Sequence, residues 1–232
     1  MSEPETLETL ARRVEGLTRQ VARLEAAQAV RTLQHQYGYY IDKCLYREAV
    51  ELFAEDAEVR FLNGVYRGRS GVHRLYCEWF GRYFARGVNG PVRGLMLDHL
   101  LLQDVIDVAE DTLSARGRFR CLLQGGTHES LGESIANFPR QFWESGIYEN
   151  TYVKEDGVWK IKCLHYNMLW QADYDQGWAN SGVHLTPMRR TYPDDPNGPD
   201  ELLPEVPKTW PETRVVPFHY PHPVTGKRWG EP

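Results

Sequence analysis

Cysteine is scarce and scattered: Cys44, Cys77, Cys121 and Cys163 are the only four in 232 residues, and no two form a CxxC pair. That spacing argues against a disulfide scaffold or a structural zinc site, and reads as small apolar side chains in a core. Long apolar runs are missing as well. None approaches the roughly 18 residues that span a bilayer, and the opening MSEPETLETLARR lacks the uninterrupted apolar stretch of a signal peptide. A cytoplasmic protein without membrane contact is the expectation. Basic excess is absent too: the net charge is -5 and the lysines and arginines are interleaved with acids, so no nucleic-acid partner is expected. Dinucleotide, phosphate-loop, zinc-protease and serine-hydrolase signatures do not occur. What is present is a globular composition, 41% hydrophobic, 12% aromatic and 25% charged, enough for one domain with extensions.

The chain divides into three parts. In residues 1–26 the apolar side chains Leu7, Leu10, Val14, Leu17, Val21 and Leu24 recur at alternating intervals of three and four, between Arg12, Arg13, Glu15, Arg19 and Arg23. This is an amphipathic helix whose stripe must find a partner, either its own domain or a second copy of the chain. Residues 27–172 form the body. A helical stretch through Val30, Leu33, Tyr37 and Ile41 precedes a short one around Val50 and Phe53, and AEVRFLNGVYRG then reads as a strand, an Asn-Gly turn and a strand. Val72, Leu75, Tyr76, Trp79 and Tyr83 fall at helical spacing, and two long antiparallel hairpins follow, the second turning at Glu155-Asp156-Gly157. Residues 173–232 hold most of the prolines and no periodic apolar segment, yet keep Trp210, Phe218, Tyr220 and Trp229. A tail so rich in aromatics is expected to pack, as an arm around the body or around a neighbouring subunit. Seam helix and arm together lead to the expectation of a homo-oligomer.

Leu33, Tyr37, Ile41 and Asp42, followed by Leu52-Phe53-Ala54-Glu55-Asp56-Ala57-Glu58-Val59, resemble the opening of the SnoaL-like proteins of the nuclear transport factor 2 superfamily. The likeness runs on through Gly68, Val72, His99 and the DGVWKIK hairpin, from about Ala27 to Gln171. It implies an α+β fold: a cone-shaped barrel of curved antiparallel sheet with three packed helices, enclosing a pocket open at one end. Members include cofactor-free enzymes such as scytalone dehydratase, bile-acid dehydratase, polyketide cyclases, steroid isomerases and lignin-dimer formaldehyde lyases, beside plain binding modules. The fold alone therefore leaves the function open.

Tyr37 and Asp42 match the tyrosine and aspartate that the dehydratases place at the end of the first body helix. A spacing of five puts them about 140 degrees apart on an ideal helix, so both reach one pocket only if the wall is broad or the helix ends near Asp42. Asp42 either satisfies local backbone amides or charges a histidine across the pocket. His99, in the apolar strand LMLDHLLLQ, matches the family's general base, although a lone histidine there can equally be a satisfied core residue. On the last strand, alternation groups His165 and Asn167 with Trp159, Ile161, Cys163 and Leu169 and aims them into the pocket, with bonding to the tail as their other role. Arg116, Arg118 and Arg120 face outward, which speaks against an anionic substrate. Tyr40, Phe119, Tyr148 and Trp170 are the aromatic candidates for substrate binding, with Tyr39, Trp79 and Trp143 beside them. No metal ligand set and no cofactor are expected.

These residues make a cofactor-independent lyase the leading expectation. His99 polarised by Asp42 removes a proton, and tyrosine with His165 or Asn167 stabilises the developing charge or protonates the leaving oxygen. The substrate is a hydroxylated aromatic small molecule, and the outcome is loss of water or retro-aldol loss of formaldehyde from an aryl propanediol. A non-catalytic small-molecule-binding module, and an isomerase or cyclase of a polycyclic ketone, are the alternatives.

Overall fold

The structure is a computed structural model that describes residues 6–132, 135 and 138–230; the first five residues of the expected N-terminal helix and the last two of the arm lie outside them. The first element is one helix, α1 (Leu7–Asp42), not two in succession. It opens on Thr6, whose hydroxyl accepts the Thr9 amide at 3.2 Å, and nothing between Ala22 and Val30 breaks it, since that stretch is rich in alanine and holds no glycine or proline. Its second half buries Val30, Leu33, Tyr37 and Ile41 in the core, whereas Leu7, Leu10, Val14, Leu17, Val21 and Leu24 stay exposed. Among the described residues none covers the stripe.

A short helix α2 (Tyr46–Glu51) leads into strands β1 (Phe53–Phe61) and β2 (Gly64–Arg67). Their two-residue turn is Leu62-Asn63, one position earlier than the Asn-Gly signal predicts, with Leu62 at φ 54. Asn63 is held there from outside: its side chain donates to the Met188 carbonyl and accepts the Met188 amide in the arm. A third helical segment begins as α3 (Gly68–His73), widens into a π-helical stretch over Arg74–Phe80, and ends in one α turn, Gly81–Tyr83. Strands β3 (Leu95–Val108), β4 (Ser114–Thr127), β5 (Gln141–Glu155) and β6 (Val158–Asp173) form the two long hairpins, the second turning on Asp156-Gly157 with φ of 50 and 81. That pair of left-handed residues is what a tight hairpin demands.

The sheet has seven strands in the order β3-β4-β5-β6-β1-β2-β7, where β7 (Glu201–Leu202) comes from the arm. It is mixed, not wholly antiparallel, because β1 runs parallel to β6. It also does not close, yet it curls far enough for β1, β3, β4, β5 and β6 to share one cavity with α1, α2 and the π stretch. The expected α+β architecture is thus present, with an open mixed sheet as its wall.

Two single-residue bulges in β6 decide which side chains face that wall. Tyr152 pairs with Ile161 but Thr151 with Cys163, leaving Lys162 extra; Gly146 pairs with Met168 but Ser145 with Trp170, leaving Leu169 extra. Each extra residue inverts the alternation beyond it. Ile161, Leu164, Tyr166, Met168 and Gln171 therefore face inward, and Cys163, His165 and Asn167 face out.

The arm wraps the body. Tyr66 donates to the Asn197 carbonyl at 3.1 Å, and Arg74 donates to Gly198 at 2.8 Å and to the Asp200 carboxylate at 2.6 Å. Farther along, the Trp210 amide reaches the Leu169 carbonyl, and Arg118 on β4 donates to Val216 and Pro217 while pairing with Glu149. Arg118 does face outward as expected, but under the arm rather than in solvent.

Candidate active site

The cavity is enclosed between the C-terminal half of α1 and the concave sheet. Tyrosines dominate its polar lining: Tyr37 and Tyr76 are joined hydroxyl to hydroxyl at 2.8 Å, and Tyr46, Tyr148 and Tyr166 stand around them. Phe61, Phe80, Phe84 and Phe142 supply much of the apolar surface. Burial raises the hydroxyls of Tyr37, Tyr76, Tyr148 and Tyr166 well above the usual phenol range. They stay protonated and act as hydrogen-bond donors, not as bases. The cavity volume is about 90 Å³, less than the roughly 150 Å³ that admits a benzene ring in an engineered core. A second space of about 220 Å³ lies beneath the arm and shares Phe61, Tyr166 and Leu185 with the first. Those three side chains form the partition between the two.

Asp42 and His99 form the polar centre. Asp42 is the last residue of α1, where the helix end meets β3, and unlike Tyr37 it does not line the cavity itself but reaches it through His99. Gly38, one turn earlier, permits this approach, because a Cβ there would already lie 3.3 Å from Leu101 on β3. Asp42 Oδ1 accepts two hydrogen bonds from one residue, the His99 backbone amide at 2.9 Å and Nδ1 at 2.7 Å. A carboxylate has no proton to give, so Nδ1 carries a hydrogen, and in the neutral imidazole the lone pair is on Nε2. Asp42 lies beside the free edge of β3, in a groove with His35 and Tyr39, whereas His99 lines both that groove and the cavity. The imidazole thus stands between groove and cavity, with Nδ1 held by the carboxylate.

Glu144 is the residue the sequence reading passed over. It sits on β5, is only 5% exposed, and lines the cavity. Its Oε1 accepts Tyr166 at 2.8 Å and its Oε2 accepts Gln171 Nε2 at 3.0 Å. Burial raises the Glu144 carboxyl above its ordinary range, against the opposing pull of Tyr166, His99 and Gln171. The signal was present in the sequence: residues four apart on a strand share a face, and Tyr148 had been chosen. Tyr46, Tyr76, Tyr166, Gln171 and His184 were likewise not selected; His184 lies in the arm, where no local pattern points to a cavity.

Of the other residues selected from sequence, Tyr37 and Tyr148 line the cavity and five do not. His165 lies on the outer face, where burial and the nearby Arg60 and Arg214 hold its imidazole down to about 4. Asn167 also faces out, accepting Arg214 at 3.1 Å. Both displacements follow from the Lys162 bulge. Trp170 falls beyond the second bulge and packs edge-on against Trp178 of the arm. Phe119 does face inward, but it is fully buried in the layer beneath α1, edge-on to His35. Tyr40 packs against the core from the flank of α1 without reaching the cavity. Among the described residues no group of three or more His, Cys, Asp or Glu side chains is placed to hold a metal ion, and no helix is long and apolar enough to cross a membrane.

An α+β cone with an Asp-His pair set in the wall of an aromatic cavity defines a class within which relatives can be sought. The model of the SnoaL-like domain matches residues 22–165, and the chain belongs to that family. Among solved structures it is similar to a candidate scytalone dehydratase from Novosphingobium aromaticivorans DSM 12444, at 24% identity and a TM-score of 0.54, covering 74% of this chain and 99% of the other. It is also similar to the hexachlorocyclohexane dehydrochlorinase LinA-type3 from Novosphingobium barchaimii LL02, at 19% identity and a TM-score of 0.52, covering 73% and 99%. At these identities the likeness establishes the fold. Comparison with curated proteins returns no match.

Proposed function

We propose that the protein is an acid–base lyase that removes water from a hydroxylated aromatic small molecule, using its own side chains and no cofactor. The observation that carries this reading is the double hydrogen bond from His99 to Asp42 Oδ1, which leaves Nε2 of the neutral imidazole as a base at the wall of an aromatic cavity. His99 takes a proton from carbon, and Asp42 stabilises the imidazolium that forms. Protonated tyrosines hold the substrate's oxygens while the phenyl rings pack against its ring edge to face. The two similar proteins are named as a dehydratase and a dehydrochlorinase, both eliminations, which supports the same reaction class here. The cavity is small, so a substrate of two rings would extend into the space beneath the arm. For an aryl propanediol the same base supports release of formaldehyde.

The test is mass-resolved product analysis of the protein with a panel of hydroxylated aromatics that includes aryl propanediols, beside Asp42→Asn and His99→Ala. Products lighter by one water, formed by the wild type alone, are expected. Loss of formaldehyde assigns the carbon–carbon lyase, and a product of unchanged mass an isomerase or cyclase. Turnover equal in wild type and both variants refutes the role of the pair. Tight binding without any product makes the protein a binding module.

A further inference from the structure

The antiparallel registers place His99 opposite Leu123, Leu123 opposite Glu144, and Glu144 opposite Gln171. These four residues form one row across β3, β4, β5 and β6, and all four line the cavity. At a strand spacing of about 4.8 Å, the backbones of His99 and Glu144 stand about 10 Å apart with their side chains on the same face. The residue between them is leucine, so no protein group bridges imidazole and carboxyl, and a molecule lying over Leu123 meets one at each end. Base and acid on opposite sides of a single small substrate is the arrangement an elimination needs.

The surroundings of Glu144 fit the acid's part. Gln171 is oriented by the arm: its Oε1 accepts the His184 amide at 2.7 Å, which turns Nε2 toward Glu144. Oε2 therefore faces a fixed donor, and a proton on the carboxyl belongs on Oε1, beside Tyr166. The Tyr166 hydroxyl can accept from that proton and, once it has gone, donate to the carboxylate, so both charge states find a partner. Burial adds to this by favouring the neutral carboxyl.

We propose that Glu144 is the general acid of the elimination, giving its proton to the departing hydroxyl across the cavity from the His99 base. The proposal rests on the lyase reading above. His99 Nε2 takes the proton from the carbon next to the carbinol carbon; that C–H pair becomes the new C=C bond as the C–O bond breaks. The hydroxyl leaves as water with the Glu144 proton. Imidazolium and carboxylate remain, and a proton passed from the first to the second through the released water restores the resting state.

The probes are β-hydroxypropiophenone and its β-acetoxy counterpart, whose acetate leaves without protonation. Glu144→Gln keeps its neighbours, since its amide oxygen accepts Gln171 and its amide nitrogen donates to Tyr166. It is expected to lower kcat about 10²–10³-fold on the hydroxy ketone and less than about tenfold on the acetoxy ketone, while His99→Ala loses both. Infrared difference spectra of the wild type at neutral pH are expected to show a neutral carboxyl band that Glu144→Gln abolishes. Equal losses on the two ketones, or no loss on either, overturn the acid role while leaving the base in place if His99→Ala is inactive. An ionised Glu144 in the infrared overturns it as well. Wild-type turnover of neither ketone, or undiminished turnover by His99→Ala, overturns the elimination reading itself and this proposal with it.

Discussion

Asp42→Asn separates the two services that the aspartate performs for His99. Oδ1 accepts both the backbone amide and Nδ1, so an asparagine must present its carbonyl oxygen to that site; its NH₂ would set donor against donor. The Nδ1–H tautomer is therefore retained, though more weakly. A hydrogen bond to a charged acceptor contributes about 1.5–3 kcal/mol and one to a neutral acceptor about 1 kcal/mol, so the tautomer preference falls from about 10–100-fold to about fivefold. What disappears is the charge. A unit charge about 4 Å from the imidazolium at an effective dielectric near 20 is worth about 4 kcal/mol, and with side chains only 9% and 14% exposed little of it is screened by water. A kcat/KM lower by about 10²–10³-fold is expected once partial relaxation is allowed. Asp42→Ala loses the tautomer as well and falls further. Nitrogen-15 correlation spectra of His99 report the tautomer without any substrate, and turnover on the aromatic alcohol that the panel yields reports the charge. An Nε2–H imidazole in Asp42→Asn, or turnover within about threefold of wild type, refutes the reasoning. So does an Asp42→Asn/His99→Ala double variant slower than His99→Ala alone, because a residue acting through His99 has nothing left to lose.

Gly146→Ala brings a methyl group to 2.5 Å from the Tyr166 ring; displacing that ring costs about 1–3 kcal/mol, visible as a lower Tm, and parts Tyr166 from Glu144. An unchanged Tm would show that the ring has room the structure does not give it. His165, held to about 4 in the fold, against about 6.5 when unfolded, makes stability depend on pH: the unfolded chain takes up the proton first as pH falls. That contribution is whole above about pH 6.5 and is lost toward about pH 4, a difference of up to about 3 kcal/mol. His165→Gln is expected to flatten Tm over that window, and an unaltered slope counts against burial as the cause. The uncovered stripe of α1 is proposed to pair with a second copy of the chain. Leu10→Glu/Leu17→Glu is then expected to sediment as a smaller species with its helix content kept, and a monomeric wild type ends the idea.

Much of this was legible from sequence because local pattern and tertiary need agree. The hairpin at Asp156-Gly157, the long strands, and the trio of Tyr37, Asp42 and His99 follow from turn chemistry, alternation and family likeness. Alternation failed where one inserted residue, Lys162, moved the side chains from Cys163 to Met168 to the other face, until the second bulge at Leu169 reversed the shift, and nothing in the string WKIKCLHYN marks an extra residue. His165 and Asn167 were lost in that step. Asn63-Gly64 misplaced its turn by one residue because the arm, far along the chain, grips Asn63. Glu144 was overlooked because a glutamate between Trp143 and Ser145 reads as a solvent-facing residue, although its spacing of four from Tyr148 puts both on one face of β5; its register with His99 and Gln171 completes the assignment.

The SnoaL-like match ends at residue 165, yet one side of the cavity is completed by His184 and Leu185, and the orientation of Gln171 depends on an amide of the same segment. The chamber is therefore built from two parts: the segment that the family match covers, which holds Asp42 and His99, and a tail beyond it that completes the wall. A change in that tail therefore acts on two things at once, the shape of the cavity and, through Gln171, the setting of the Glu144 carboxyl.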